Sequence, residues 1–183
     1  VQQKRSTDPG DSKAMVAARQ RFLAAGDYAP IAKALSQAVM RHCEQPDTYS
    51  CLDAGCGEGY YLRQLSQYMP ESQALSLMGL DISKWAVQSA AKQDDKHAPI
   101  SRWVVGSNAQ LPVQSATLDS VLCMFGFPVH SEFARVLKTG GQLLQVEAGP
   151  EHLRELRKII YPTLKPTREK ETNVPEGFAH RAS

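Results

Sequence analysis

The 183-residue chain reads as an α/β domain, a mostly parallel sheet with helices on both faces. Three observations lead there. Between residues 48 and 148 short apolar runs alternate with helically spaced ones, and the first of these runs enters a glycine-rich turn at Gly55, Gly57 and Gly59. In addition, Gly55, Asp81, Asn108 and Phe127 all fall where successive runs end, and parallel sheets bind ligands at the carboxyl ends of their strands.

In chain order, Lys4 and Arg5 precede Asp8-Pro9-Gly10-Asp11, a turn sequence that combines a fixed φ with a permissive glycine. Asp11 or Ser12 can then cap a helix. Met15, Val16, Arg19, Phe22 and Leu23 follow at helical spacing until Gly26, which predicts one apolar face and one basic face carrying Arg19. Pro30 opens a second helix whose buried stripe is Ile31, Leu35, Ala38 and Val39, and Pro46 stands beyond its end. These helices make up a segment 1–45.

Thr48 to Gly59, T-Y-S-C-L-D-A-G-C-G-E-G, is a strand running into the glycine turn and a helix. Without Cβ atoms the turn can take positive φ and approach a ligand closely, and the helix start offers unpaired N–H groups to a carboxylate or polarised group. A dinucleotide fingerprint needs G-x-G-x-x-G, and the place of its third glycine is held by Tyr60, which argues against NAD. Tyr61, Leu62, Leu65, Tyr68 and Met69 form the following helix face, ended by Pro70. Leu75 to Asp81 is a second strand, Ser83 caps a helix packing through Val87, Ala90 and Ala91, and Ile100 to Val105 is a third strand. Asp81 stands about twenty residues beyond the glycines, where such folds carry a ribose-binding acid.

Asn108 sits in the next loop, as a ligand-facing amide or as a plain turn residue. Leu118 to Phe127 predicts a fourth strand, Glu132 to Lys138 a short helix, Thr139-Gly140-Gly141 a turn, and Gln142 to Ala148 a fifth strand. The core thus spans 46–150. From Glu151 a basic helix with Leu153, Leu156, Ile159 and Ile160 on one face leads into a proline-containing tail, making a last segment 151–183.

Residues 1–21 hold five Lys/Arg against two Asp/Glu and residues 151–183 seven against five, whereas 22–150 hold nine against twelve. Basic ends on an acidic core suit a polyanion, with solvated flanks as the simpler alternative. No apolar run is long enough to span a bilayer and no signal peptide is evident, so the expectation is a cytoplasmic protein with no membrane partner. Cys43, Cys51, Cys56 and Cys123 form no C-x-x-C pair and no ligand spacing with the five histidines, so no metal site is expected within the chain.

The G-x-G-x-G turn preceded by Asp53 resembles the first motif of the Rossmann-like (class I) S-adenosylmethionine-dependent methyltransferases. The resemblance implies S-adenosyl-L-methionine as cofactor, with Asp53, Gly55 and Gly57 around its methionine end, Asp81 on the ribose and Asn108 on the adenine amine. Glu58, Gly59, Ile82 and Ala109 complete the implied cofactor-binding set. In that family N-terminal helices lie over the cofactor mouth, and two further strands follow the fifth; no run here supplies those two strands, and with no initiator methionine the chain is expected to be a fragment.

K-R-S-x-D-P-G-D-S at 4–12, F-L-A-A-G-D-Y at 22–28, D-A-G-C-G-E-G-Y-Y at 53–61 and A-R-V-L-K-x-G-G at 134–141 resemble the bacterial 23S ribosomal RNA (guanine-N1)-methyltransferases, over about residues 1–160. That family implies methylation of N1 of a guanine in a 23S rRNA hairpin. It also carries a four-cysteine zinc module ahead of the K-R-S segment, so zinc is expected only in an N-terminal module missing from this chain. RNA contacts would come from Lys4, Arg5, Arg19 and Arg21, a stacking platform from Phe127, and a general base from His130. Gly126-Phe127-Pro128 departs from the shorter Ala/Ser-Pro turn of the family, and a homodimer is left open. A small-molecule methyltransferase acting on a quinone precursor, or a non-catalytic S-adenosylmethionine-binding protein, would share residues 48–148 and gain nothing from basic ends.

Overall fold

The computed structural model describes residues 9–41, 47–94, 101–149, 151–161 and 174–180. Lys4, Arg5 and Ile100, and Pro162 and Pro166 of the tail, lie outside the described residues. Five strands, β1 (Thr48–Ala54), β2 (Ala74–Asp81), β3 (Ser101–Val105), β4 (Leu118–Met124) and β5 (Leu137–Val146), form one sheet in the order β3-β2-β1-β4-β5. Every pairing is parallel. The chain winds outward from β1 to β3 and then returns to β4, so a crevice opens at the carboxyl ends of β1 and β4, where the winding reverses.

Burial on both faces explains why the strands read as continuous apolar runs. In β1 the two-residue period sends Tyr49 and Cys51 into a core with Ala32, Leu35 and Val39 of α2 (Ala29–Arg41) and Tyr61, Leu62 and Leu65 of α3 (Tyr60–Tyr68). Leu52 and Ala54 enter the opposite core, with Val121 and Cys123 of β4 and Phe133 and Val136 of α5 (His130–Val136).

Two serine caps set the entrance of the crevice. Ser12 accepts a hydrogen bond from the Met15 N–H at the start of α1 (Lys13–Ala24), and Ser83 accepts one from the Ala86 N–H at the start of α4 (Lys84–Gln93). The Ser83 hydroxyl also donates to the Asp11 carbonyl at 2.6 Å, which ties the turn before α1 to the end of β2. Gly10 allows this approach, since a Cβ there would stand 2.9 Å from atoms of Ile82 and Ser83.

Several boundaries differ from the sequence expectation. β4 stops at Met124 rather than Phe127, because Phe125 adopts a left-handed φ of 57° and turns the chain toward the crevice. α5 begins at His130, two residues early, and β5 begins at Leu137: Leu137 pairs with Leu118 and Gln142 with Ser120, so the Thr139-Gly140-Gly141 turn is an irregularity inside one strand. In α1 only Val16 and Leu23 are buried, while Met15 and Phe22 are exposed. Ala91 is exposed as well. The last helix, α6 (Arg154–Ile160), buries none of its residues, so the face of Leu156, Ile159 and Ile160 is not packed against the described residues.

Candidate active site

A cavity of about 630 Å³ fills the crevice, within the range of about 300–1,000 Å³ usual for small-ligand sites. Its floor is the glycine turn, where Gly55 at φ 93° and Gly57 at φ 56° hold conformations that side chains resist. Asp81 pins this turn. One of its carboxylate oxygens accepts from the Gly57 N–H at 2.9 Å and the other from the Ser83 N–H at 2.8 Å, and each keeps a free lone pair for a further donor.

Ile82, Asn108 and Ala109 line the same cavity. The Asn108 amide nitrogen donates to the Phe127 carbonyl at 3.0 Å, and its buried Oδ1 has no hydrogen-bond partner. Such an acceptor suits an exocyclic amine. Phe127 stands at the rim with 90% of its surface exposed.

The other expected residues are placed differently. Asp53 is completely buried beneath the turn, outside the cavity lining, and neither of its oxygens has a partner. Burial, and then the Asp81 carboxylate, push its carboxyl up to about 7. Glu58 lines the cavity but turns its carboxylate inward, where Arg63 and Gln93 both donate to Oε2 at 2.6 Å. Gly59 is not in the lining; a Cβ there would lie 2.4 Å from the Trp103 ring, so its glycine is demanded by packing. His130 also lies outside the lining, with Nε2 2.9 Å from Gln145 Oε1 and its ring against Phe133 and Phe178.

Among the lining residues that escaped the cofactor reading of the sequence are Arg19, Tyr28, Phe125 and His152. Phe125 stacks on His152 with ring centroids 6.0 Å apart and meets Tyr28 edge-on at 6.0 Å, forming an aromatic wall on the β4 side. Tyr28 ended a motif already quoted, but Phe125 was hidden in an apolar run and no local pattern marks His152. Among the described residues no three His, Cys, Asp or Glu side chains are grouped to hold a metal ion, and no helix is long and apolar enough to cross a membrane.

The profile of a family described as a methyltransferase domain matches residues 51–141, from inside β1 to the glycine pair of β5. The chain belongs to the Rossmann-like S-adenosylmethionine-dependent methyltransferases. Within that family it is 35% identical over 164 residues to a Micromonospora griseorubida protein provisionally named a 23S rRNA (guanine-N1)-methyltransferase, covering 83% of this chain and 54% of the relative. It is 32% identical over 146 residues to the 23S rRNA (guanine(748)-N1)-methyltransferase of Streptomyces fradiae, covering 80% of this chain and 50% of the relative. The chain spans about half the length of these curated relatives. A crystal structure from Methanococcus maripaludis, provisionally named an S-adenosylmethionine-dependent methyltransferase, shares the fold with a TM-score of 0.62 at 20% identity, over 86% of this chain and 74% of that one.

The cavity fits the cofactor this family implies. Asp81 has lone pairs to spare for ribose hydroxyls, the unpartnered Asn108 Oδ1 matches an adenine amine, and the glycine turn leaves room beside Gly57.

Proposed function

We propose that this chain is the S-adenosylmethionine-binding part of an enzyme that methylates N1 of a guanine in a 23S rRNA hairpin. The observation that carries the reading is the exposed Phe127 ring at the rim of the cofactor cavity, on a chain whose similarity to 23S rRNA guanine-N1-methyltransferases runs through most of its length. Bound there, S-adenosylmethionine supplies an electrophilic methyl group. Guanine N1 carries a proton and lies on the pairing edge, so the base must leave its stack to be reached. Phe127 offers that base an aromatic face, and Pro128 stiffens the loop that presents it. The N1 proton needs an acceptor. We assign it to the His152 imidazole, which lines the cavity, in preference to His130, which is engaged by Gln145 outside it. Holding base and methyl donor at fixed separation supplies part of the acceleration without any base.

Primer extension on ribosomal RNA tests the reading, because a methyl on N1 blocks pairing and stops reverse transcriptase. A stop at one guanine is expected in cells carrying the intact gene and not in the deletion strain. Restoring the gene with His130→Ala should restore the stop, and restoring it with His152→Ala should leave it weakened. No stop in either strain would overturn the ribosomal assignment in favour of a small-molecule acceptor.

A further inference from the structure

An α-amino acid end brings a carboxylate with it, and a carboxylate entering this cavity meets mostly like charge. Asp11 and Asp81 line the wall, and Asp53 lies just beneath. Among the described residues, Arg19 is the single guanidinium or ammonium group in the lining. It reaches the floor: a Cβ built on Gly57 would stand 3.7 Å from Arg19 Nη1, so no side chain separates the guanidinium from the glycine turn. One edge of the guanidinium pairs with Asp11, and nearly half of the side chain stays accessible. A guanidinium has five N–H donors in a planar fork, so holding one carboxylate leaves donors to clasp another. Asp11 is itself fastened, through the Ser83 hydroxyl bond to its backbone carbonyl.

We propose that Arg19 is the receptor for the carboxylate of the methionine end of S-adenosylmethionine, and that Asp11 is the positioning residue that aims its guanidinium at the glycine turn. This rests on the cofactor reading above. It also moves Arg19 from the basic face expected to meet RNA to the inside of the cofactor site. The chain thereby selects the intact amino acid and not only the adenosine part.

Two ligands separate the proposal from a structural role. S-adenosylhomocysteine carries the amino acid end, whereas 5′-methylthioadenosine keeps adenosine and thioether but has neither carboxylate nor ammonium. In calorimetric titrations of the 183-residue chain, Arg19→Met should weaken S-adenosylhomocysteine about ten- to a hundredfold, the loss expected for one charged hydrogen-bonding partner, and leave methylthioadenosine unchanged. Arg19→Lys should fall between, and Asp11→Asn should weaken S-adenosylhomocysteine alone. Arg21→Met, which removes the same charge from an exposed position outside the lining, should alter neither. Unchanged S-adenosylhomocysteine binding in Arg19→Met, or equal loss of both ligands, overturns the proposal. Wild-type chain that binds neither ligand overturns the cofactor reading beneath it.

Discussion

Asp53 is a carboxylic acid where a carboxylate is costly, fully buried with no donor to either oxygen. An acid whose folded pKa is raised from 3.8 to about 7 keeps a proton that the unfolded chain releases. Stability contributed by that proton is present at low pH and is lost as pH rises from about 4 to about 7, by up to about 4 kcal/mol. Asp53→Asn, which mimics the neutral acid, should therefore gain stability over the wild type progressively across that interval and hold a constant advantage above it. Urea unfolding at a series of pH values checks this, and a difference that stays flat with pH would mean that Asp53 is ionised in the fold. The sequence singled out Asp53 as the acid before the glycines. Its depth could not be read there, because it follows from both cores closing over the end of β1.

The glycine turn, a single motif in the sequence, serves two masters in the fold. Gly55 and Gly57 shape the cavity floor, while Gly59 makes room for Trp103 of β3, which also presses on Gly79 of β2. Gly59→Ala would place a Cβ 2.4 Å from that ring on a backbone at φ 82°. Overpacking of about 1–3 kcal/mol and left-handed strain of about 1–2 kcal/mol should together destabilise the chain by about 2–5 kcal/mol. Denaturant midpoints will show it. Adding Trp103→Leu should return part of the loss by removing the obstructing ring, and the strain part should remain. A double variant no better than Gly59→Ala alone would exclude the contact with Trp103 as the cause.

For the whole chain, the charge pattern of the sequence pointed to a polyanion touching both ends, with Arg19 and Arg21 acting together. The fold divides the two. Arg19 lines the cavity in a pair with Asp11, and Arg21 remains on the exposed side of α1. With the single-stranded loop of the proposed RNA hairpin as ligand, each phosphate contact contributes a slope of about −0.7 in log K against log salt. Arg21→Met should make the slope shallower by about that amount, and Arg19→Met should leave it alone. A slope that responds to Arg19 and not to Arg21 would return Arg19 to the RNA face. The apolar face of α6, which is not packed against the described residues, has no counterpart in this charge pattern.

Parallel sheet, glycine turn, Asp81 and Asn108 were all legible from local chemistry: two-residue and helical periods report which faces are apolar, and a turn that needs positive φ must be written in glycine. Those features depend on neighbours a few residues away, so the chain carries them wherever it is read. Deciding which residues meet was left to the sheet order. Strands β1 and β4 become neighbours only once the winding reverses, and Phe125 and His152 then share one cavity with Arg19 and Tyr28 from a distant stretch of the chain. Arg63 of α3 and Gln93 of α4 likewise hold the Glu58 carboxylate, and His130 stands beside Gln145. Periodicity cannot distinguish a buried from a cavity-facing side chain when both are enclosed by the same layers, because that difference is set by the elements packed across the gap.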